Sequence, residues 1–323
     1  MDDVRIGLIG GSGLAAALLA GADGRCHDVD TPFGPPADSI VETRWFDLPV
    51  CILSRHGKGH RFNPTQVPYR ANIMALKQLG CTHILASGTV GSLREEFRPK
   101  HLVLPDQIID RTTRRPGTFF EKCAMHVEFA EPFCPILRQI LREASTVLAA
   151  DAPTEQDAEA LAVHARGCYV AMEGPAFSTR AESLMHRLMG GDLIGMTAMP
   201  EAKLAREAEL PYALVALVTD YDCWRTAPVA PNPGAAVPEA TTRPHDPHGL
   251  LKEILANLES ATQRGIALLK RAVEMIASNP QRVRECPARN ALELALWSSR
   301  EAIDPAEIER LAPLWGRHFS NAS

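Results

Sequence analysis

Apolar residues in this chain collect into short unbroken runs, and each run breaks off in glycine, hydroxyl or charged residues. Arg5 to Ile9, Val50 to Leu53, His83 to Ala86, Gly167 to Met172, the stretch from Leu193 and Ala213 to Val218 all read this way. Runs of this length without polar alternation are the mark of strands buried on both faces, as in parallel sheets. Leu102 to Leu104 and Gln107 to Ile109 are shorter strand pieces, and Arg111 to Arg115, basic and polar, reads as a loop. Between the runs the apolar period becomes helical. Pro68 to Leu79 carries Ile73, Leu76 and Leu79, with Pro near its start and Gly80 as its stop. Pro135 to Leu148 sets Ile136, Leu137, Ile140, Leu141, Ala144 and Leu148 on one face. Further helices are predicted after Ser178 or Thr179, from Pro200 through Glu209, and over Gly249 to Ala277. Strands alternating with helices predict an α/β fold.

The strongest of these runs is Ala213 to Val218, which ends in Thr219-Asp220-Tyr221-Asp222. If the chain stays extended, residues two apart face one way, so Asp220 and Asp222 would share a pocket. In open α/β sheets that pocket lies beyond the carboxyl ends of the strands. The other strand ends converge there as well. Gly10-Gly11-Ser12-Gly13 follows the first strand and offers backbone N–H groups and the Ser12 hydroxyl to an anion. Gly11-x-Gly13-x-x-Ala16 fits a dinucleotide fingerprint equally well, and a plain tight turn is a third reading. Arg55 and His56 follow the second strand; a guanidinium fork matches phosphate oxygens. Ser87 to Leu93 is a Gly/Ser/Thr loop containing Thr89. Glu95-Glu96 reads as a solvated turn, and a lone His126 as structural.

Length allows one large α/β domain or two smaller ones, with 323 residues in the chain. Residues 228–248 form a proline-rich insert, expected to be a loop or lid, and residues 279–323 a tail with two short helices, around Asn290–Trp297 and Pro305–Trp315. The division expected is a main domain at 1–278 and a helical C-terminal extension at 279–323. A net charge of −5 gives no electrostatic case for nucleic acid or an anionic membrane surface. No apolar segment reaches the ~18 residues of a membrane span. The eight cysteines are scattered without a CxxC pair, which suits free thiols better than disulfides or a metal site. With no leader pattern at Met1 to Arg5, a cytoplasmic location is expected.

Taken together, six ordered motifs resemble the purine nucleoside phosphorylase family: Gly10–Leu14, Ser54–Pro64, Tyr69–His83, Met172–Ser183, Gly195–Ala208 and Leu217–Trp224. Within it the pattern is nearest to the members that cleave 5′-methylthioadenosine. The resemblance implies a single-domain phosphorylase/hydrolase-like fold, with a central mixed β-sheet flanked by helices and a helical C-terminal extension. It implies a phosphate site at Ser12, Arg55, His56, Thr89 and Thr197. Met196, and less directly Tyr69, would meet the ribose. Phe177, Ser178, Asp220 and Asp222 would hold adenine, and His126 would lie near the sugar 5′ end. Asp220 would be the general acid and Asp222 the acceptor for the exocyclic amino group. Inorganic phosphate would be the nucleophile, with no metal or organic cofactor, in a homotrimer. The competing functions are phosphorolysis of adenosine, inosine or guanosine, a hydrolytic nucleosidase, a nucleoside-binding protein and an NAD-dependent dehydrogenase built on the glycine loop.

Overall fold

The computed structural model describes residues 4–11, 13–20, 23–154, 162–225 and 248–319. Ser12 and all but the last residue of the proline-rich insert lie outside them. The strands are β1 (Ile6–Gly10), β2 (Arg25–His27), β3 (Ile40–Trp45), β4 (Leu48–Ser54), β5 (His83–Ser92), β6 (Leu102–Val103), β7 (Gln107–Asp110), β8 (Val163–His164), β9 (Cys168–Ala171), β10 (Leu193–Gly195) and β11 (Tyr212–Asp220). The helices are α1 (Leu14–Leu19), α2 (Tyr69–Gln78), α3 (Pro135–Ala150), α4 (Arg180–Leu188), α5 (Ala198–Glu207), α6 (Gly249–Ser278), α7 (Gln281–Arg284), α8 (Pro305–Arg310) and α9 (Ala312–Phe319). Among the described residues no helix is long and apolar enough to cross a membrane.

The eleven strands make one mixed sheet. β4, β1, β5 and β11 lie side by side and parallel. β3 and β2 extend the sheet beyond β4, each antiparallel to its neighbour. On the far side, β10 runs antiparallel to β5, and β9 and β7 run parallel to β10.

The ten residues of β5 explain where a pocket must form. β11 occupies one edge of β5 from Ile84 to Gly91. On the other edge β1 pairs with His83 to Ala86, and β10 pairs with Gly91 and Ser92. Among the described residues, Ser87 to Val90 therefore face no strand on that edge. β1 runs with β5 and β10 runs against it, so the carboxyl ends of both strands point into this gap. Two parallel sets meet there head to head, which is the setting in which α/β sheets bind ligands.

The all-apolar run in β11 divides between two cores. Leu214, Ala216 and Val218 face α2 and α5, while Ala213, Val215 and Leu217 face α1, α3 and α6. Its sequence needs no polar alternation because both faces are covered. The C-terminal extension joins the first of these cores: Leu292, Ile303, Leu311, Leu314 and Trp315 pack with Ile73 and Leu76 of α2, and Trp315 is 1% exposed.

Four features differ from the sequence reading. Ser87 to Ser92 is strand, not loop, because β11 and β10 supply partners that outweigh the poor strand propensity of two glycines. β2 and β3 were not foreseen; β3 and β4 form a hairpin whose turn residues, Phe46 and Asp47, both have positive φ. Around Asn290 the tail forms only a short 3-10 turn at Pro287–Asn290. The single helix expected over Pro305 to Trp315 is two helices, α8 and α9.

Candidate active site

A cavity of about 570 Å³ opens at the gap beside β5. Its walls are the ends of β1, β4, β9, β10 and β11, the exposed edge of β5 and the first turns of α6.

One end of the cavity is built around a buried cation. The N–H of Arg55 donates to the Gly10 carbonyl at 3.0 Å, which ties the end of β4 to the end of β1. The Arg55 side chain is 0% exposed. Its Nε and Nη2 donate to the two carboxylate oxygens of Glu201 at 2.7 and 2.8 Å, and Nη1 donates to the Ser87 carbonyl at 2.7 Å. Tyr212 donates its hydroxyl to the same carboxylate at 2.8 Å. Burial opposes the charged guanidinium, but Glu201 outweighs it and holds the Arg55 pKa above its ordinary value. Gly11 lies against this group: a Cβ there would sit 3.0 Å from Arg55 Nη1 and from the Ser87 oxygen. Glycine is needed for that approach.

His56 stands beside Arg55, with Nδ1 2.8 Å from the Phe62 carbonyl oxygen. A carbonyl only accepts, so Nδ1 carries the proton and Nε2 is left for a ligand. Burial, then the charge of Arg55, pushes the His56 pKa down to about 4. The ring is thus neutral at pH 7, and Nε2 is an acceptor suited to a protonated phosphate oxygen. Thr197 caps α5 without using its hydroxyl in a cap bond. That hydroxyl lies 3.5 Å from where a Gly88 Cβ would be, facing the bare edge of β5. Thr89 lines the same edge.

The other end of the cavity is acidic. Between Val218 and Asp220 the pairing of β11 with β5 slips by one residue at Thr219. Such a bulge re-aims the side chains that follow it. Asp220 is 4% exposed. It accepts from the Thr219 hydroxyl at 2.8 Å and from the Asp222 N–H at 2.7 Å. Burial raises its pKa to about 7; the two donors oppose that rise and the Asp222 carboxylate adds to it. Asp222 has φ 51°, so it does not continue the strand. The two aspartates face one cavity because of this turn, not because of strand alternation, which corrects the sequence expectation. Burial also raises the Asp222 pKa, with the Ser183 and Ser178 hydroxyls opposing. Gly91 leaves room for them: a Cβ there would lie 2.8 Å from Asp220 Oδ1.

Arg55, His56, Thr89, Met196, Thr197, Phe177, Asp220 and Asp222 thus line one cavity. Ser178 does not line it; its hydroxyl faces the Met172 sulfur at 3.7 Å, and its carbonyl accepts from the Cys223 thiol. Tyr69 stands behind the wall and donates to the Pro64 carbonyl at 2.8 Å. Ser12 lies outside the described residues. His126 is not brought to the cavity. It is exposed, its ring meets Trp297 edge-on at 4.7 Å, and its N–H donates to Ala295. Glu95 and Glu96 are exposed, as their turn-like setting suggested. Sequence reasoning missed Glu201, Thr219, Gly91 and the apolar wall of Ile254, Leu255 and Leu258 from α6. The signal for that wall was present in the four-residue spacing of α6; Glu201, 146 positions from Arg55, carried none.

The sequence profile of the phosphorylase superfamily matches residues 5–274. The S-methyl-5′-thioadenosine phosphorylase of Synechocystis sp. is 40% identical over 100% of this chain and 90% of its own length. That of Chloroflexus aurantiacus is 43% identical over 99% and 100%. A crystal structure of methylthioadenosine phosphorylase from an Antarctic soil metagenomic library superposes with a TM-score of 0.80 at 41% identity, covering 97% of this chain and 99% of that one. The head-to-head sheet, the buried Arg55–Glu201 pair and the paired aspartates are thus found in a chain that belongs to the phosphorylase superfamily.

Proposed function

We propose that this chain cleaves 5′-methylthioadenosine with inorganic phosphate, releasing adenine and 5-methylthioribose 1-phosphate. The observation that carries this is the placing of a carboxyl group with a pKa of about 7, Asp220, in the same cavity as the anchored guanidinium of Arg55. Names borne by the relatives support the same substrate. Adenine would lie between Asp220 and Asp222, with Phe177 at the mouth and Ser178 behind Asp222. Asp222 accepts from the exocyclic amino group, and Asp220 gives its proton to the neighbouring ring nitrogen. Phosphate would be held by Arg55, His56, Thr89 and Thr197, with the Ser12 hydroxyl as a further donor. A phosphate oxygen attacks the anomeric carbon as the bond to the base breaks with oxocarbenium character, as in glycoside cleavage generally. The electron pair of that bond leaves with adenine, and the Asp220 proton spares the base a full negative charge. Met196 borders the ribose, and Ile254, Leu255 and Leu258 offer an apolar surface to the methylthio group.

His126 lies outside the cavity of its own chain, so a role near the sugar is open to it only across a subunit boundary. We infer a homotrimer of this kind in the cytoplasm. Exposed apolar side chains at Leu184, Leu188, Leu294 and Trp297 support burial between copies.

The test is adenine or hypoxanthine release from methylthioadenosine, adenosine and inosine, each with and without phosphate. Phosphate-dependent release with methylthioadenosine preferred is the expected outcome. Release independent of phosphate would make the protein a hydrolase and overturn the proposal.

A further inference from the structure

Behind the cavity sits a cation that lines none of it. The Arg115 side chain is 0% exposed, in a segment that reads from sequence as a basic loop. Its Nε donates to Glu173 Oε1 at 2.9 Å. Nη1 donates to the Met196 carbonyl at 2.5 Å, the Met199 carbonyl at 2.7 Å and the Tyr69 hydroxyl at 3.1 Å. Nη2 donates to the carbonyls of Met172, at 3.4 Å, and Glu173. Glu173 in turn accepts from the N–H groups of Thr113 and Arg114 at 2.6 and 3.0 Å, and from the Thr65 hydroxyl at 2.9 Å. Burial works against the Glu173 carboxylate, but these donors hold its pKa down to about 2.

These partners belong to separate walls. Met172 and Glu173 are the continuation of β9. Met196 follows β10, next to Thr197, and Met199 opens α5. Tyr69 and Thr65 tie in the 63–66 loop, whose Asn63, Pro64 and Gln66 line the cavity. The β9 wall presents the Met172 and Glu173 carbonyls, the β10–α5 wall those of Met196 and Met199, and the loop wall the Tyr69 hydroxyl. One planar guanidinium with donors fixed in a fork satisfies them together, a geometry lysine cannot copy.

We propose that Arg115, oriented by Glu173, is a positioning residue for the reaction: it sets the spacing between the β9 wall, the β10–Thr197 wall and the 63–66 loop across which nucleoside and phosphate must align. It touches neither substrate. Its effect is on alignment, and a misplacement of about 1 Å costs up to ~100-fold in rate. The inference rests on the reaction proposed above. Absence of methylthioadenosine phosphorolysis by the unaltered protein would sink that reaction, whereas the variants below bear only on Arg115.

The experiment compares Arg115→Lys, Arg115→Met and Arg115→Gly, purified, matched for assembly and assayed well below the melting temperature measured for each. Arg115→Met is expected to lose about 100-fold in kcat/KM, with KM raised for both substrates and kcat lowered. Arg115→Lys should remain impaired despite its charge. Methylguanidinium should restore part of the activity to Arg115→Gly and do nothing for the unaltered enzyme. A purely structural residue would lower the melting temperature and leave the constants of the folded protein unchanged, and that result would overturn the proposal. Should the Arg115 variants fail to fold, Thr65→Val and Glu173→Gln each remove one support of the same cluster. Either should raise the nucleoside KM several-fold; unchanged KM in both would equally overturn it.

Discussion

The two ends of the cavity solve the problem of buried charge in opposite ways. At the phosphate end the charge is kept. Arg55 is fully enclosed, and Glu201 and the Ser87 carbonyl replace the water it has lost. At the base end the charge is discouraged. Asp220 and Asp222 lie close together, among the described residues no cation is bonded to either, and burial raises the pKa of both. The sheet places both at one gap, yet the first end is built to receive a fixed negative charge and the second to give up a proton. A reaction that consumes an anion and expels a basic leaving group needs this asymmetry.

Removing the proton donor should break the comparison most severely. Asp220→Asn keeps the size of the side chain but has no acid to give. General acid catalysis is typically worth ~10²–10⁴-fold, so kcat for methylthioadenosine should fall by about a thousandfold. Phosphate binding, measured by calorimetry, should hardly change, because the other end is intact. Near-full turnover would show that the proton comes from elsewhere.

Glu201→Gln attacks the opposite end, and its main effect should be on stability. Arg55 would then be a buried cation facing an amide. Breaking a buried pair on one side costs about 3–5 kcal/mol. The melting temperature should drop, and inorganic phosphate should recover part of the loss by taking the place of the carboxylate charge. A melting curve that is unchanged, or unmoved by phosphate, would mean the pair does not hold an anion-binding cation.

The pH dependence sharpens the comparison without altering the anion end. Asp220 has a folded pKa of about 7, above its unfolded value. It is protonated below that and ionised above. At saturating phosphate, kcat/KM for the nucleoside should fall as pH rises through 7. The same raised pKa has a stability sign. The folded state binds an extra proton between the two pKa values, so that contribution is complete at low pH and is lost as pH rises through 7. Asp220→Asn should therefore gain stability relative to the parent between pH 6 and 8.5. His56 and His83 have pKa values lowered to about 4 and are already neutral across that window. Their protonation in the unfolded chain is common to parent and variant and cancels in the difference. A stability difference that is flat with pH would remove the proton from Asp220.

How much of this was legible in the sequence depends on the range of the contact involved. β11 was visible because a strand covered on both faces needs an apolar run, and Asp220 was visible as its end. Arg55-His56 was visible for the same reason, and Thr197 only through the family resemblance. The converging direction of β1 and β10 was not, since it follows from pairings of β5 with one strand 77 residues before it and another 101 residues after it. Nor was the turn at Asp222, which has a positive φ without being glycine. Arg115 read as one basic residue among several, because its acceptors are mostly backbone carbonyls and carry no sequence signature. His126 stood out as a histidine in a mixed apolar setting, and its packing on Trp297 is a contact that spacing alone does not reveal.

The smallest effect expected is on the substrate's 5′ substituent, where neither charged end reaches. Ile254, Leu255 and Leu258 present an apolar surface from α6, and Leu255 is otherwise 70% exposed, a poor use of leucine unless something covers it. A methylthio group covered by that surface would favour methylthioadenosine over adenosine by burial alone. One methylene-sized contact in an apolar pocket is worth about 1–3 kcal/mol. Leu255→Ser should therefore lower the ratio of kcat/KM for methylthioadenosine over adenosine by roughly tenfold. It should do so chiefly through KM for methylthioadenosine, and the pH profile set by Asp220 should stay where it was. If the ratio is unchanged while both substrates slow equally, the leucine closes the cavity against water and does not read the 5′ group.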